Sequence, residues 1–351
     1  MNDKNLIKSN AQNSANITPP PQEIEQINKN TAALANAHNK LAARHSELVA
    51  AHNDLVKNYT ALGNNYNALV KKFNFLQHGF FRTLPQAYLG LVEIQLAENC
   101  NLNCKGCSHF SQLAKNELTN LEILERDYAR LSDLSDKLVG KIHLMGGEPL
   151  LHPKVNEIMI LTRKYFPNTK IKLVTNGVLL PKQNDEFYKT AAAHHIIIAP
   201  TPYPLKINWD SVNAKIAKYG CEFEWFDGGE PEQKTFRRFA LDENGKQNAR
   251  FNFMCCGMAN TCVLLRNGKL YTCSIIGNIQ HFNRYFEKKG ELKKALEVSK
   301  NDYIDIYKAR DYNEILQFIA KPAAFCRFCK VDEWVETGTW EQSKREINEY
   351  F

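Results

Sequence analysis

The sequence lacks features that would place it in several large classes of protein. Its 351 residues contain no apolar run near the roughly 18 residues that a membrane-spanning helix needs. The formal net charge is +7 without a dense Lys/Arg block, so nucleic-acid binding is not indicated. The polar, Asn-rich N-terminus has no apolar signal-peptide core. We therefore expect a cytoplasmic protein without a membrane span, whose ten cysteines indicate metal binding rather than disulfides.

Three cysteines lie close together in the chain. Cys100, Cys104 and Cys107 have the spacing Cys-x3-Cys-x2-Cys and follow the apolar, strand-like segment 91–96. A cubane iron–sulfur cluster takes four ligands, so three thiolates on one loop leave one iron open to a small molecule. A zinc site is the alternative for such a triplet taken alone.

A second motif, Gly146-Gly147-Glu148-Pro149, closes the next strand-like segment, 141–145. The two motifs together resemble the radical S-adenosylmethionine (SAM) superfamily. The resemblance implies a [4Fe–4S] cluster on the three cysteines, with SAM chelated by the open iron. It also implies SAM contacts from the second motif, whose glycines admit a close backbone approach, and from the end of the following strand. The expected SAM-binding residues are Gly146, Gly147, Glu148, Pro149, Thr175 and Asn176.

One position departs from the family pattern. The family usually has an aromatic residue just before the third cysteine, where it packs near the adenine, and this chain has Gly106 there. His109 or Phe110 is the expected substitute. Capping of the loop is an alternative role for His109.

The N-terminal part predicts a long helix rather than a folded domain. Residues 1–22 are expected to be a disordered tail, and residues 23–80 carry an unbroken heptad repeat that is typical of a coiled coil. A homo-oligomer is the expected assembly, and pairing of the apolar seam with a helix of another protein is the alternative. His38, His45 and His52 are interpreted as polar core layers and not as a metal site. The heptad leucines are Leu34, Leu41, Leu48, Leu55, Leu62, Leu69 and Leu76.

Residues 86–240 alternate strand-like and helix-like segments, which predicts an α/β fold with a parallel sheet. With the two motifs, the expected form is a partial (β/α)6 barrel of the radical SAM type. Active residues then lie at the carboxyl ends of the strands. The predicted strands are 91–96, 141–145, 171–175, 195–199 and 221–226.

A second group of cysteines lies in residues 250–340, followed by a tail at 341–351. The segment 262–273 predicts a hairpin with Asn267-Gly268 at its turn. The spacing resembles the auxiliary-cluster region of twitch and SPASM radical SAM enzymes, which implies a second [4Fe–4S] cluster. Zinc is the alternative. The expected ligands are Cys256, Cys273, Cys326 and Cys329, with Cys262 or Cys255 as alternatives to Cys256.

The resemblance implies an oxidoreductase or epimerase that abstracts hydrogen from a sugar or cyclitol, or from a glycan. Segments 107–110 and 148–153 resemble a radical SAM group associated with surface-polysaccharide biosynthesis. A flavodoxin- or ferredoxin-type electron donor is expected. The alternatives are a peptide-modifying enzyme and a zinc-bound coiled-coil scaffold. The sequence selects no catalytic acid, base or hydrogen donor among His109, His152, Tyr203 and Arg266.

Overall fold

The computed structural model describes residues 20–226 and 235–351, and the chain divides into two compact units after Phe73. The first described element is helix α1, Pro21–Thr83, which has 63 residues. Pro21 occupies the first helical turn, where its missing N–H removes no intrahelical bond. The helix extends the predicted range 23–80 at both ends. The predicted disordered tail, residues 1–22, lies outside the described residues as far as residue 19.

The heptad leucines from Leu34 to Leu69 form an exposed stripe along α1. Leu34, Leu48 and Leu69 are 75%, 71% and 65% exposed, and the companion residues Tyr59 and Phe73 are 78% and 63% exposed. A long apolar stripe on a helix is normally covered by a partner. Within the described part of one chain this stripe is uncovered, so coiled-coil pairing stays a prediction. None of the described helices is long and apolar enough to cross a membrane.

The second unit begins with four repeats of strand and helix. Each predicted strand from 91–96 to 195–199 is present, with its ends shifted by one residue or less. The elements are β1 (Val92–Ala97), α2 (Leu121–Leu134), β2 (Lys141–Gly146), α3 (Val155–Tyr165), β3 (Lys170–Thr175), α4 (Asp185–Ala193), β4 (Ile196–Pro200) and α5 (Trp209–Tyr219).

These four strands are parallel and lie in the order β4-β3-β2-β1. The α/β class is confirmed, with a parallel-rich sheet consistent with a partial barrel. The predicted fifth strand, 221–226, is wrong as a strand. Its sheet contact among the described residues is an isolated parallel bridge between Ile198 and Phe223. The aromatic residues of this segment pack against other rings instead. The ring centroid of Trp225 lies 5.3 Å from that of Phe223 and 4.8 Å from that of Trp209.

The C-terminal part adds shorter elements. The hairpin predicted at 262–273 is present as β6 and β7, and both turn residues have positive φ, 47° for Asn267 and 73° for Gly268. This is the geometry that an Asn-Gly turn favours. The remaining elements are β5 (Thr235–Arg237), α6 (Ala249–Cys255), β6 (Val263–Arg266), β7 (Lys269–Tyr271), α7 (Ser274–Lys288), β8 (Tyr303–Asp305), α8 (Tyr312–Ile319) and β9 (Glu336–Thr339).

The hairpin joins the main sheet. Strand β6 pairs in parallel with β1, so the sheet has seven strands in the order β4-β3-β2-β1-β6-β7-β8. The sequence analysis separated residues 86–240 from 250–340, whereas the structure places strands of both ranges in one sheet. The hairpin that precedes Cys273 is therefore a direct neighbour of β1, the strand that leads to Cys100.

Side chains alternate between the two faces of this sheet. Val92, Ile94 and Leu96 are buried in the core that the helices form against one face. Glu93 and Gln95 lie on the other face and are also buried, at 5% and 3% exposure. A buried polar face next to the carboxyl ends of parallel strands is a position where α/β folds bind ligands.

Candidate functional site

The three cysteines lie on the loop that follows β1, as the sequence predicted. Burial raises the pKa of the Cys100 thiol, and the charges of Glu148, Cys107 and Cys104 raise it further. Burial and the charge of Cys107 raise the pKa of Cys104 to about 11. Each thiol thus lies within electrostatic reach of another. A cationic group among them would lower the free-energy cost of ionising the thiols, and the thiolate is the form of cysteine that binds metals.

Cys107 differs from the other two thiols of this loop, because its pKa is lowered. Burial would raise its pKa, but a hydrogen bond and the charge of His109, with backbone N–H bonds from Ser111 and His109, bring it below its usual range. The pKa of His109 is raised to about 10 against the effect of burial, by its bonds to Cys107 and Glu93. Nε2 of His109 lies 3.5 Å from Oε2 of Glu93. His109 therefore caps the loop, which was the alternative role in the sequence analysis.

The two glycines of the second motif pack backbone against backbone. A Cβ on Gly147 would lie 1.9 Å from the carbonyl oxygen of Asn99, and one on Gly146, whose φ is +132°, would lie 2.5 Å from the carbonyl oxygen of Ala97. The N–H groups of Gly147 and Glu148 donate to the Ala97 and Asn99 carbonyls at 2.7 and 3.1 Å. Only glycine allows this approach, so these residues hold the end of β2 against the start of the cysteine loop.

Glu148 connects β2 to the end of β3. Its side chain is fully buried and accepts hydrogen bonds from the Leu150 N–H at 3.0 Å, the Thr175 hydroxyl at 2.6 Å and the Asn176 N–H at 2.8 Å. Burial raises the pKa of Glu148 to about 7, although the three bonds oppose the shift. Pro149 is buried at the start of a short 3-10 helix, Pro149–Leu151.

Asn176 extends this network to the cysteines. Its amide nitrogen donates to Oδ1 of Asn101 at 2.6 Å and to Sγ of Cys100 at 3.5 Å. The structure therefore brings the predicted residues of three strand ends into one site. Their contacts with SAM stay a prediction.

The structure also accounts for the missing aromatic residue at position 106. Gly106 has a φ of +74°, and a Cβ there would lie 2.6 Å from the backbone oxygen of Arg237. The backbone at Arg237 therefore leaves no room for a side chain at position 106. Phe110 is not the substitute, because it is 1% exposed and packs in the core at 5.8 Å from the rings of Phe282 and Tyr350.

Two aromatic residues, Tyr203 and Trp340, lie beside the first cysteine group. Burial and the charges of all three cysteines raise the pKa of Tyr203 well above its usual range. The indole nitrogen of Trp340 donates to Sγ of Cys104 at 3.1 Å. The rings of Tyr203 and Trp340 meet edge to face at 6.2 Å. The sequence analysis named Tyr203 among its catalytic candidates, whereas no local signal marked Trp340.

The other catalytic candidates from the sequence have structural partners. Nε2 of His152 lies 3.0 Å from the Thr119 carbonyl, and its Nδ1 accepts from the Lys154 N–H at 3.1 Å. Arg266 lies 2.7 Å from Glu98, which also contacts His281 at 2.7 Å. Both candidates therefore stabilise chain segments around the site.

The second cysteine group is buried and converges from separate elements. Cys256 ends α6, Cys273 precedes α7, and Cys326 and Cys329 lie in and after the 3-10 helix Ala324–Phe328. Burial raises the pKa of Cys273, and the charges of the other three thiols raise it further.

Two contacts organise this group. The side-chain nitrogen of Asn252 donates to the carbonyl oxygens of Cys326, at 2.8 Å, and of Cys329. The N–H groups of Met258 and Ala259 donate to Sγ of Cys256 at 3.2 and 3.4 Å. Cys256 as the fourth ligand stays a prediction, and these N–H donors are in line with it.

Cys262 lies at the edge of the second group. Burial raises its pKa, followed by the charges of Glu93, Cys273 and Cys256. Across residues 20–226 and 235–351, no group of three or more His, Cys, Asp or Glu side chains is placed to hold a metal ion. The fit to iron–sulfur groups rests instead on the donor type: two sets of largely buried thiols, each receiving N–H hydrogen bonds.

Comparison with known proteins agrees with this site. Residues 94–200 match the family described as the radical SAM superfamily. The chain therefore contains a radical SAM domain, which spans the cysteine loop, the second motif and the end of β3.

The similar proteins have different activities in their names. A GTP 3′,8-cyclase of Sulfurovum sp. (strain NBC37-1) is 31% identical over 26% of this chain and 28% of its own length. The antilisterial bacteriocin subtilosin biosynthesis protein AlbA of Bacillus subtilis (strain 168) is 30% identical over 35% of this chain and 24% of its own. The chain thus spans under a third of either relative. A crystal structure of BtrN with AdoMet and 2-DOIA is 13% identical, with a TM-score of 0.43 over 70% of this chain and 94% of BtrN.

The packing of Gly147 predicts a selective loss of metal. A Gly147→Ala side chain collides with the Asn99 carbonyl, so the cysteine loop has to move. The two predicted cubanes would together hold roughly eight irons, and we expect anaerobically reconstituted G147A protein to hold about half of that number.

Gly257→Ala is the matched control, because its Cβ would meet Arg237 at an ordinary 3.4 Å next to Cys256. That variant is expected to keep its full iron content. Full iron in G147A protein, measured beside its thermal unfolding curve, contradicts the packing role.

Proposed function

We propose that the protein is a radical SAM enzyme that acts on a sugar- or cyclitol-type substrate. Cys100, Cys104 and Cys107 would hold the SAM-binding [4Fe–4S] cluster, with a second [4Fe–4S] cluster at the C-terminal cysteines as an electron relay. When bound, the first cluster and SAM supply one-electron cleavage of the sulfonium, giving methionine and a 5′-deoxyadenosyl radical that takes a hydrogen atom from a substrate carbon. The outcome is dehydrogenation, epimerisation or deoxygenation.

A polar row across the sheet supports a hydrophilic substrate. Glu93 on β1 is in register with His143 on β2, and His143 is in register with Lys172 on β3. Neighbouring strands lie about 4.8 Å apart, so the three side chains span roughly 10 Å at one level. All three are on the face opposite the helix-packed core. This row is the observation that carries the substrate class, because a polyhydroxylated ring needs several convergent polar groups to fix its orientation.

The row is charge-balanced by neighbouring residues. Lys172 forms an ion pair with Glu224, and Glu93 faces His109 at 3.5 Å. Removing charged groups from water is costly unless they are paired, so a buried row of this kind has to be compensated. Hydroxyl groups of a substrate can add hydrogen bonds to such pairs without separating their charges.

The competing functions rest on other features. The names of the similar proteins include both a GTP cyclase and a bacteriocin biosynthesis protein, so the shared domain does not select the substrate. A peptide-modifying enzyme is favoured by the name of AlbA, the bacteriocin biosynthesis protein. A zinc-bound scaffold is supported by the exposed heptad stripe alone. We expect a flavodoxin- or ferredoxin-type protein to supply the electron.

The proposed reaction predicts deuterium transfer. Reconstituted protein with SAM and dithionite is expected to form 5′-deoxyadenosine that gains deuterium from a deuterated nucleotide sugar, cyclitol or glycan. Mass spectrometry of the nucleoside measures the transfer. Deuterium arriving from a peptide and from none of the sugars overturns the substrate class, and colourless zinc protein without 5′-deoxyadenosine favours the scaffold.

The polar row predicts a binding role for Lys172. We expect Lys172→Met to raise the KM for the deuterium-donating substrate by about 10-fold or more, the size of a lost charged hydrogen bond. Substrate-free cleavage of SAM should be unchanged.

Lys170→Met is the matched control, because Lys170 pairs with the same Glu224 at 3.2 Å from the amino end of β3. Equal KM values for both variants argue against a substrate at this row.

The exposed stripe on α1 predicts self-association. Leu48 and Leu55 are 71% and 66% exposed at successive heptad positions, and a parallel second copy of the helix would cover both. The double change to Lys is expected to give monomers by light scattering coupled to size-exclusion chromatography. The double change Ser46→Lys and Asn53→Lys, off the seam, should leave the oligomer intact. A monomeric parent protein at micromolar concentration contradicts the proposal.

A further inference from the structure

The C-terminal strap, residues 340–345, lies along the first cysteine loop. The Lys105 N–H donates to the Glu341 carbonyl at 3.0 Å, and the Ser343 N–H donates to the Asn103 carbonyl at 2.8 Å. The side-chain nitrogen of Asn103 donates to the Ser343 carbonyl at 2.6 Å. The strap therefore pairs with the loop through its backbone, as a short added strand would.

The strap is fixed on both sides. Before it, β9 pairs with β5 in an antiparallel two-stranded sheet. After it, the Tyr350 ring packs at 5.2 Å from Phe282, and its hydroxyl accepts a bond from Gln112 at 2.6 Å. The Leu241 N–H donates to the Tyr350 carbonyl at 2.6 Å. Anchored ends hold the first strap residue, Trp340, at a defined place.

Trp340 adds a side-chain contact to Cys104, which the strap already faces through a backbone bridge between Cys104 and Gln342. Its indole N–H donates to Sγ of Cys104 at 3.1 Å, and its ring lies edge to face with Tyr203 at 6.2 Å. The side-chain bond from Asn176 to Cys100 is longer, at 3.5 Å. Trp340 therefore supplies a short N–H bond to this thiol from 236 residues away in sequence.

An N–H donor beside a ligand sulfur changes how readily an iron–sulfur cluster accepts an electron. Reduction adds negative charge, which spreads over the sulfurs, so the donor stabilises the reduced form more than the oxidised form. The indole is neutral and donates through one N–H, so its effect does not vary with pH.

We propose that Trp340 is a positioning residue that raises the reduction potential of the cluster held by Cys104, through its indole N–H bond to that sulfur. The inference rests on the proposed radical SAM function. It adds a role for the C-terminal strap, which completes the environment of the first cluster from the far end of the chain.

The test is a reductive titration of the reconstituted protein followed by EPR. Adding SAM identifies the relevant signal, because only a cluster with an open iron responds. In Trp340→Phe we expect the reduction equilibrium of the SAM-responsive signal to shift by about tenfold against the reduced form, which is 59 mV for one electron. The other cluster signal should not move.

Trp334→Phe is the matched control. Its indole donates at 3.0 Å to the Ala240 carbonyl and not to a thiol, so the potential should be unchanged. An unshifted potential in W340F protein, or an equal shift in W334F protein, overturns the inference. Absence of any SAM-responsive signal in the parent protein overturns the proposed function instead.

A measurement on the unmodified chain covers the case in which W340F protein does not hold its cluster. Protein labelled with ¹⁵N-indole tryptophan is reduced with dithionite, and the SAM-responsive EPR signal is examined by pulsed EPR. A weak ¹⁵N coupling is expected on that signal, because Trp340 is bonded to a ligand sulfur. Absence of the coupling rejects the hydrogen bond.

Discussion

The site depends on one close backbone contact, between the chain at Gly147 and the carbonyl oxygen of Asn99. A Cβ at position 147 would lie 1.9 Å from that oxygen, so the ends of β1 and β2 meet only because the side chain is absent. The next residue, Glu148, continues the connection to Thr175 and Asn176 at the end of β3. Three strand ends thereby become one rigid support for the cysteine loop.

One sheet contains strands from both of the chain segments that carry cysteine groups. Because β6 pairs with β1, the hairpin that precedes Cys273 is a direct neighbour of the strand that leads to Cys100. Glu93 on β1 lies 3.5 Å from His109 of the first loop, and its charge raises the pKa of Cys262 in the second group. The proposed reaction needs substrate and relay close together, and the hairpin that precedes Cys273 adjoins β1, the strand that carries Glu93 of the polar row.

Local spacing in the sequence predicted most of what lies near the strand ends. The cysteine triplet, the Gly-Gly-Glu-Pro motif and the Asn-Gly turn each specify a backbone geometry within a few residues. The strand prediction for 221–226 was wrong because an alternating pattern has two explanations. Alternate aromatic side chains can pack against a sheet, or they can pack against other rings. Rings of Trp209 and Trp225 meet at 4.8 Å, and tertiary packing decided the outcome. Trp340 and the crowding at Gly106 involve partners from distant segments, which no local pattern encodes.

The most direct test of this account is Mössbauer spectroscopy of anaerobic, ⁵⁷Fe-reconstituted protein before and after SAM is added. Two cubanes hold about eight irons, and three thiolates leave one of them open. The account predicts that about one iron in eight changes its spectrum when SAM binds, while the others keep theirs. A spectrum that SAM leaves unaltered, with every iron bound by four sulfurs, contradicts it.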